Sequence, residues 1–359
     1  SEAKVSDRIR TLLRHAADVG AAVHFDMEQY EYKDITLSIL KKILLEEEFR
    51  SRTDIGVTLQ GYLRDSKKDL QDLIAWAKQR GNPITVRLVK GAYWDQETIK
   101  SRQKHWQQPV YSQKESTDAN YEQLTELLLE NHDYLYAAIA SHNARSQAHA
   151  MAIAETLNIP SRRFEMQVLY GMGEKLAKAL VQRGHRVRVY CPYGDLLPGM
   201  AYLIRRLLEN TANSSFLRQS LEDRPIEQLI APPSFVETIE TGFLKRGASD
   251  KDGDSGQETR FLGENGLFVG APDTDYANEK LRATGQAALE TVSQQLGKTY
   301  APIINGQPHN TAQSLNSLNP SPPSELVGTI GLISEPQAEK AILAAKEAFK
   351  SWRKTPVLQ

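Results

Sequence analysis

The stretch "AYLIRRLLEN" at residues 201–210 carries two adjacent arginines, a tyrosine and a glutamate. At roughly 100° per residue, Tyr202, Arg205, Arg206 and Glu209 fall on one side of a helix. Met200, Leu203, Ile204, Leu207 and Leu208 fall on the other. Guanidinium forks match the oxygens of a carboxylate or a phosphate, so the polar face is a candidate anion clamp. The same residues also make an ordinary solvated face, with Arg205 and Glu209 paired at i,i+4. The helix alone leaves both readings open, and its neighbours must decide.

A second set of chemically able residues closes a series of short apolar, β-rich runs: Asp26, Gln60, Arg87 with Lys90, His142 with Asn143, and Tyr190. The runs are "AAVHFDME" (21–28), "IGVTLQGY" (55–62), "ITVRLVKGAYW" (84–94), "YAAIASHN" (136–143), "RFEMQVLYGMG" (163–173) and "VRVYCPYG" (187–194). Helical patterns lie between them, such as "DSKKDLQDLIAWAKQRG", with a cap at its start and Gly81 at its end. Strands alternating with helices argue parallel βαβ units. The "GMG" at 171–173 lacks the third glycine of a dinucleotide fingerprint, which favours a barrel over a doubly wound sheet. A (β/α)8 barrel needs eight strands and about 250 residues, whereas six runs are visible. The predicted fold is therefore α/β, a TIM-type barrel lacking its N-terminal strands, which are expected upstream of Ser1. In such a barrel the active site forms at the C-terminal ends of the strands, where these polar residues lie.

Composition excludes several classes. The chain has 359 residues, 40% hydrophobic and 25% charged, with a net charge of −1. That balance suits a globular protein and gives no support for a nucleic-acid partner. No apolar run approaches the ~18 residues that a membrane span needs, and no signal peptide is recognisable at the start. Cys191 is the single cysteine, so no internal disulfide and no cysteine-rich zinc site can form. A cytoplasmic location is expected, with any membrane association peripheral.

The expected organisation is a barrel region over 1–220 (six β/α units and a final helix), a linker region over 221–299, and the start of a second domain over 300–359. "KRGASDKDGDSGQET" reads as flexible linker. Asp250, Asp252 and Asp254 suggest a calcium loop, but Ser255 stands where the glycine belongs and Phe261 where the bidentate glutamate belongs. "APIINGQ" (301–307) reads as a strand, and "NPSPPSELVGTIG" as a loop and a second strand. "SEPQAEKAILAAKEAFKSWRK" reads as a helix opened by a Ser334–Gln337 capping box. Both ends of the chain read as cuts through something larger.

Together, "VRLVKGAYW", "SHN", "LYGMG" and "YLIRRLLENTANSSF" resemble the flavin-dependent proline dehydrogenase barrel of the bifunctional proline utilization A family. The tail at 300–359 resembles the opening of that family's aldehyde dehydrogenase domain. The resemblance implies FAD-dependent oxidation of L-proline to 1-pyrroline-5-carboxylate, the first step of proline catabolism to glutamate. It implies that Arg205 and Arg206 hold the proline carboxylate, that Tyr202 packs beside the substrate, and that Leu169 and Tyr190 pack around its ring. Arg87 matches the arginine near flavin N5, where positive charge would stabilise the reduced ring. Arg87 and Asp26 are therefore the implied catalytic pair. Gln60 matches a donor to the pyrimidine edge, with Asp26 and Met27 lining the same pocket. Val89, Lys90, Gly91 and Ala92 match the loop around the cofactor, and Trp94 an adenine-stacking surface. Ser141 and His142 match the phosphate and ribose region, and Glu209 joins the cofactor set.

The implied partners are L-proline and, for the intact enzyme, a membrane quinone as electron acceptor, with NAD serving only the second domain. The family resemblance also implies a bacterial inner membrane for any peripheral association. The family also uses a lysine and a gating glutamate from the upstream part of the barrel. The aldehyde dehydrogenase portion would stop before its catalytic cysteine, so no such activity is expected from this chain, and its proline-oxidising activity is itself in question. A homo-oligomer is a further expectation, since an open barrel exposes two sheet edges.

Other readings of the same residues stand beside this one. Trp94 could be a core residue and His142 a satisfied strand-end histidine. Lys90 could form a Schiff base in a lyase or aldolase, with the two arginines holding a substrate phosphate. The barrel could also be a non-catalytic assembly piece.

Overall fold

A computed structural model describes residues 2–195, 197, 199, 200, 202, 204, 227, 230–235 and 273–356. Arg205, Arg206 and Glu209, and the aspartates at 250, 252 and 254, lie outside these described residues. The chain divides into two compact units, Ser1–Ser249 and Asp250–Gln359.

In the first unit, β1 (Val23–Phe25), β2 (Ile55–Gln60), β3 (Ile84–Val89), β4 (Leu135–Ala140), β5 (Phe164–Leu169) and β6 (Val187–Tyr190) form one sheet in chain order. All neighbours pair parallel, and these are the six runs read from the sequence. Around them run α1 (Glu2–Asp18), α2 (Lys33–Ile43), α3 (Ser66–Arg80), α4 (Trp94–Lys104), α5 (Lys114–Glu130), α6 (Ala144–Thr156) and α7 (Glu174–Gln182).

Alternation along each strand assigns the two faces of the sheet. Ile55, Val57 and Leu59 of β2, Ile84, Val86 and Leu88 of β3, and Leu135, Ala137 and Ile139 of β4 are fully or almost fully buried. They pack against Leu37, Leu40, Leu70, Leu73, Leu124 and Leu128 of the helices. Burying apolar area on that side stabilises by about 25 cal/mol per Å², and it leaves the opposite side free for polar groups.

The sheet is strongly curled. Were it flat, β1 and β6 would lie roughly 24 Å apart, at about 4.8 Å per strand. Yet the Tyr190 hydroxyl at the end of β6 donates to Asp26, just past β1, at 3.0 Å. Only a barrel-like arc brings these two residues together. The architecture is a curled parallel α/β sheet of TIM-barrel type.

The opposite ends of the strands are tied by Arg80, the last residue of α3, which is 2% exposed. Its guanidinium donates to the carbonyls of Leu44, Phe49, Arg52, Asn82 and Pro83 at 2.5–3.4 Å. At the other end of α3, Asp65 occupies the cap position without capping. Its carboxylate instead accepts from the Tyr30 hydroxyl at 3.0 Å and pairs with buried Lys33 at 2.9 Å.

In the second unit, β10 (Gln313–Leu318) pairs antiparallel with β11 (Leu326–Leu332), which pairs parallel with β7 (Lys298–Tyr300). α8 (Glu279–Ser293) precedes β7, so helix and strand occupy the last part of the stretch read as linker. The single strand expected over 301–307 is instead a hairpin of β8 (Ile303–Ile304) and β9 (Gln307–Pro308). Asn305 and Gly306 both take positive φ, 52° and 74°, the geometry that an Asn-Gly pair favours between tightly turned strands. The closing helix α9 (Glu335–Trp352) starts at Ser334, whose backbone N–H donates to Gln337 Oε1 at 2.9 Å.

Candidate active site

Asp26 is the centre of the polar face. Its Oδ1 accepts from the Thr58 hydroxyl at 2.8 Å and from Arg87 Nη1 at 2.6 Å, and its Oδ2 accepts from Tyr190 at 3.0 Å. The Arg87 guanidinium also lies 4.4 Å from the Tyr190 ring centroid. Residues from β1, β2, β3 and β6 thus meet at one carboxylate. Partial burial pushes the Asp26 carboxyl up, but Arg87 and the two hydroxyl donors outweigh it and hold it below the ordinary aspartate value. The same partial burial, with Asp26 opposite, pushes the Tyr190 phenol up. Asp26 is therefore an anion and Tyr190 a neutral donor at neutral pH. Arg87 Nε is buried, with no hydrogen-bond partner among the described residues, which leaves a guanidinium N–H available to a further acceptor. Tyr202 stacks against Tyr190 with ring centroids 6.5 Å apart and planes 18° apart, so residue 202 stands at this same rim.

The segment after β3 is bonded to the segment after β2. Gly61 N–H donates to the Val89 carbonyl at 2.8 Å, and Tyr62 N–H to the Lys90 carbonyl at 2.7 Å. Gly91 takes φ of +133°, and a Cβ there would fall 2.4 Å from the Tyr62 ring. Glycine is required on both counts, because only hydrogen lets the backbone lie on the aromatic face. Exposed Ala92 follows. Gln60 is buried, and its Nε2 donates to the Glu28 carbonyl at 3.2 Å. Trp94, at the start of α4, is 39% exposed, and its indole N–H donates to the Tyr111 carbonyl at 2.7 Å. It is a rim residue, not a core one.

Two of the expected cofactor residues turn their side chains away from this face. Lys90 has the parity of Leu88 and reaches into the strand–helix layer, where Nζ pairs with Asp118 of α5 at 2.5 Å, beside the Tyr121 ring. Asp118, which also meets Lys114 at 2.7 Å, is pushed up by burial, but the two ammonium groups prevail and hold it below its ordinary value. Met27 packs against the main hydrophobic core. Only the backbones of Lys90 and Met27 remain for the polar side. An ammonium paired behind the sheet is poorly placed to attack a carbonyl in front of it, so the Schiff-base reading loses its nucleophile.

At the end of β4, Ser141 Oγ accepts from Asn143 N–H at 3.1 Å, and Asn143 caps α6 by accepting from Arg145 and Ser146 N–H. His142 Nε2 accepts from Leu169 N–H at 3.0 Å, so the ring acts as an acceptor towards β5, and a neutral ring would carry its proton on Nδ1. The "SHN" turn thereby fixes the end of β5, where Leu169 shares the inward parity of Glu165 and Gln167.

Several residues of this face were not singled out in the sequence. Thr58 lies two positions before Gln60 and His24 two before Asp26, so extending the strand period from each strand-end residue would have found both. Desolvation by the surrounding atoms holds the His24 imidazole down to about 4, with Asp26 opposing and Arg87 assisting. Glu165, 1% exposed, accepts from Gln167 at 2.7 Å and takes the Arg188 fork at 2.6 and 2.9 Å. No spacing rule pointed to that pair.

The family model for proline dehydrogenase matches residues 1–219. This chain belongs to the proline dehydrogenase family. It is 30% identical over 354 residues to the bifunctional protein PutA of Salmonella typhimurium, covering 96% of this chain and 26% of that one. Proline dehydrogenase 1 of Bacillus subtilis is 30% identical over 221 residues, 62% of this chain and 65% of that one. A crystal structure of proline utilization A from Bdellovibrio bacteriovorus, inactivated by N-propargylglycine, superposes with a TM-score of 0.81 at 38% identity. That match covers 99% of this chain and 35% of the other. The chain spans about a quarter of the length of the PutA relatives it matches. Family membership gives the curled sheet its context, since the strand-end rim carrying Asp26, Arg87 and Tyr190 falls inside the matched region.

Proposed function

We propose that the barrel unit of this chain oxidises L-proline to 1-pyrroline-5-carboxylate with a bound FAD. The observation that carries the reading is the convergence of Asp26, Arg87 and Tyr190 from distant strands, with a buried Arg87 Nε lacking a described partner. That spare donor and the small, half-buried Ala140 on the inward parity of β4 fit a flat, hydrogen-bonding ring system. When bound, the flavin supplies the acceptor for the electron pair of the C–H bond beside the proline nitrogen.

The chain's own residues would prepare that event. Asp26 orients Arg87 and holds it as a fixed positive charge where negative charge develops. Gln60 offers its amide to the ring edge, and the backbone of Val89, Lys90, Gly91 and Ala92 lines the approach. Trp94, Ser141 and His142 serve the adenosine and phosphate end, with Glu209 assigned to the same set. Tyr190 and Leu169 pack around the proline ring, Tyr202 packs beside the substrate, and Arg205 and Arg206 secure its carboxylate. The three assigned residues at 205, 206 and 209 rest on the motif match alone.

The intact protein would pass electrons to a membrane quinone and work in the cytoplasm or at the inner-membrane surface. No helix among the described residues is long and apolar enough to cross a membrane. The reading keeps a barrel region over 1–220, a linker region over 221–299, and from about 300 the opening of an NAD-dependent aldehyde dehydrogenase domain. Ile342, Leu343, Phe349 and Trp352, exposed on α9, support a larger surround for that unit.

The test is a visible absorption spectrum of the purified chain, supplied with FAD and then with L-proline without oxygen. A yellow protein that bleaches is expected. A folded chain that stays colourless with excess FAD would remove the reading.

A further inference from the structure

Tyr111 lies where three parts of the first unit meet. Its backbone N–H donates to the Tyr62 carbonyl at 2.9 Å, Arg64 N–H donates to the Pro109 carbonyl at 2.9 Å, and Leu63 bridges Val110 antiparallel. The 109–111 segment is thus laid against the chain leaving β2. The Tyr111 carbonyl is the acceptor for the Trp94 indole at 2.7 Å. The Tyr111 ring meets the Arg64 guanidinium, 5.2 Å from its centroid, and the Phe235 ring, 5.9 Å away at an angle of 56°.

Phe235 arrives from far along the chain, in the segment 230–235. The near end of that segment is also fastened. Arg145 holds Glu122 through Nε and Nη2 at 2.9 and 3.0 Å, and gives Nη1 to the Ile230 carbonyl at 2.9 Å. The segment is therefore tied at one end to the α5–α6 pair and at the other to the residue that orients Trp94.

We propose that Phe235 is a positioning residue: through Tyr111 it fixes the orientation of the Trp94 indole, and so sets how tightly the adenosine half of the flavin is held. The inference rests on the flavin reading of the rim. Its physical basis is that a partly exposed indole makes a stacking platform only if its angle is held. One hydrogen bond to a carbonyl holds that angle only if the carbonyl is itself fixed. The backbone bonds to Tyr62 and Arg64 hold the segment that carries the carbonyl, and Phe235 adds the aromatic contact that fixes the Tyr111 ring, in the tilted geometry such pairs favour. Phe235 is itself 43% exposed, so its removal empties no core.

The experiment is reconstitution of the full chain, parent and Phe235→Ala, with FAD and separately with FMN, followed by quenching of flavin fluorescence. FMN carries the same ring, ribityl chain and first phosphate but lacks the AMP half of FAD, so it reports flavin binding without the half that Trp94 would hold. The expected result is an FAD affinity about three- to tenfold weaker in Phe235→Ala, an unchanged FMN affinity, and recovery in Phe235→Tyr. Equal loss for FAD and FMN would show a merely structural role and overturn the proposal, as would an unchanged FAD affinity. A parent chain that binds neither flavin would instead defeat the flavin reading itself, a different and separately visible failure.

Discussion

Replacing Asp26 with asparagine keeps its shape and removes the charge on which three donors converge. Arg87 Nη1 at 2.6 Å loses an ionic acceptor, and the Thr58 and Tyr190 hydroxyls lose their shared anion. A hydrogen bond to a charged group is worth about 1.5–3 kcal/mol when protected, and an exposed ion pair about 0.2–1 kcal/mol. Arg87 is 12% exposed and Asp26 43%, so screening from the solvent side places the loss between the two, at about 1–2 kcal/mol. For a unit of this size that lowers the melting temperature by about 2–8 °C. The pH dependence has a definite sign. Because the folded carboxyl lies below its ordinary value, its contribution is complete above the unfolded aspartate value and is lost as pH falls through the lowered one. The gap between parent and Asp26→Asn should be full at neutral pH and close in acid. Thermal unfolding followed by circular dichroism across that range measures it. A cycle with Tyr190→Phe should return a coupling of about 0.5–1.5 kcal/mol. Loss of Arg87 orientation should also slow proline-dependent bleaching by about five- to thirtyfold. Identical melting curves at neutral pH, or a gap that widens in acid, would refute the reasoning.

Two further expectations concern stability. Arg80→Met strips the five carbonyls of Leu44, Phe49, Arg52, Asn82 and Pro83 of their shared donor, so denaturant titration should show a loss of about 3–5 kcal/mol; a loss under about 1 kcal/mol would mean that these carbonyls have other partners. His24, an exposed residue whose imidazole is held down to about 4 chiefly by desolvation from the atoms packed around it, binds its proton more readily when unfolded. The parent should therefore lose stability as pH falls from about 6.5 towards about 4, and His24→Gln should flatten that slope, modestly because solvent reaches the ring from the open side of the sheet. An unchanged slope in the variant would assign the acid loss to other groups.

Much of the first unit was legible before any coordinates. The six strands were marked by short β-branched runs closing in polar or glycine residues, and α3 ended at Gly81 as its pattern implied. Strand-end position was a sound guide because parallel strands all deliver their C-terminal residues to one rim. Less visible were side-chain directions. Lys90 and Met27 read as rim residues by proximity in the chain, yet strand parity carries Lys90 to Asp118 and Met27 to the core. Asp65 looked like a helix cap because cap residues are recognised locally, and a buried ammonium from α2 claimed its carboxylate instead. The hairpin at 303–308 lies hidden inside one apolar run because its Asn-Gly turn interrupts strands only two residues long.

The sequence by itself determined the family, the alternation of strand and helix, and which residue types stand at the strand ends, since these depend on local periodicity and on motifs. Only the tertiary structure decided that Asp26, Thr58, Arg87 and Tyr190 form one network and that Phe235 meets Tyr111. The reason is geometric. Curvature of the sheet accumulates over many strands from packing that no single stretch encodes, and it is that curvature which closes a separation of roughly 24 Å to a hydrogen bond.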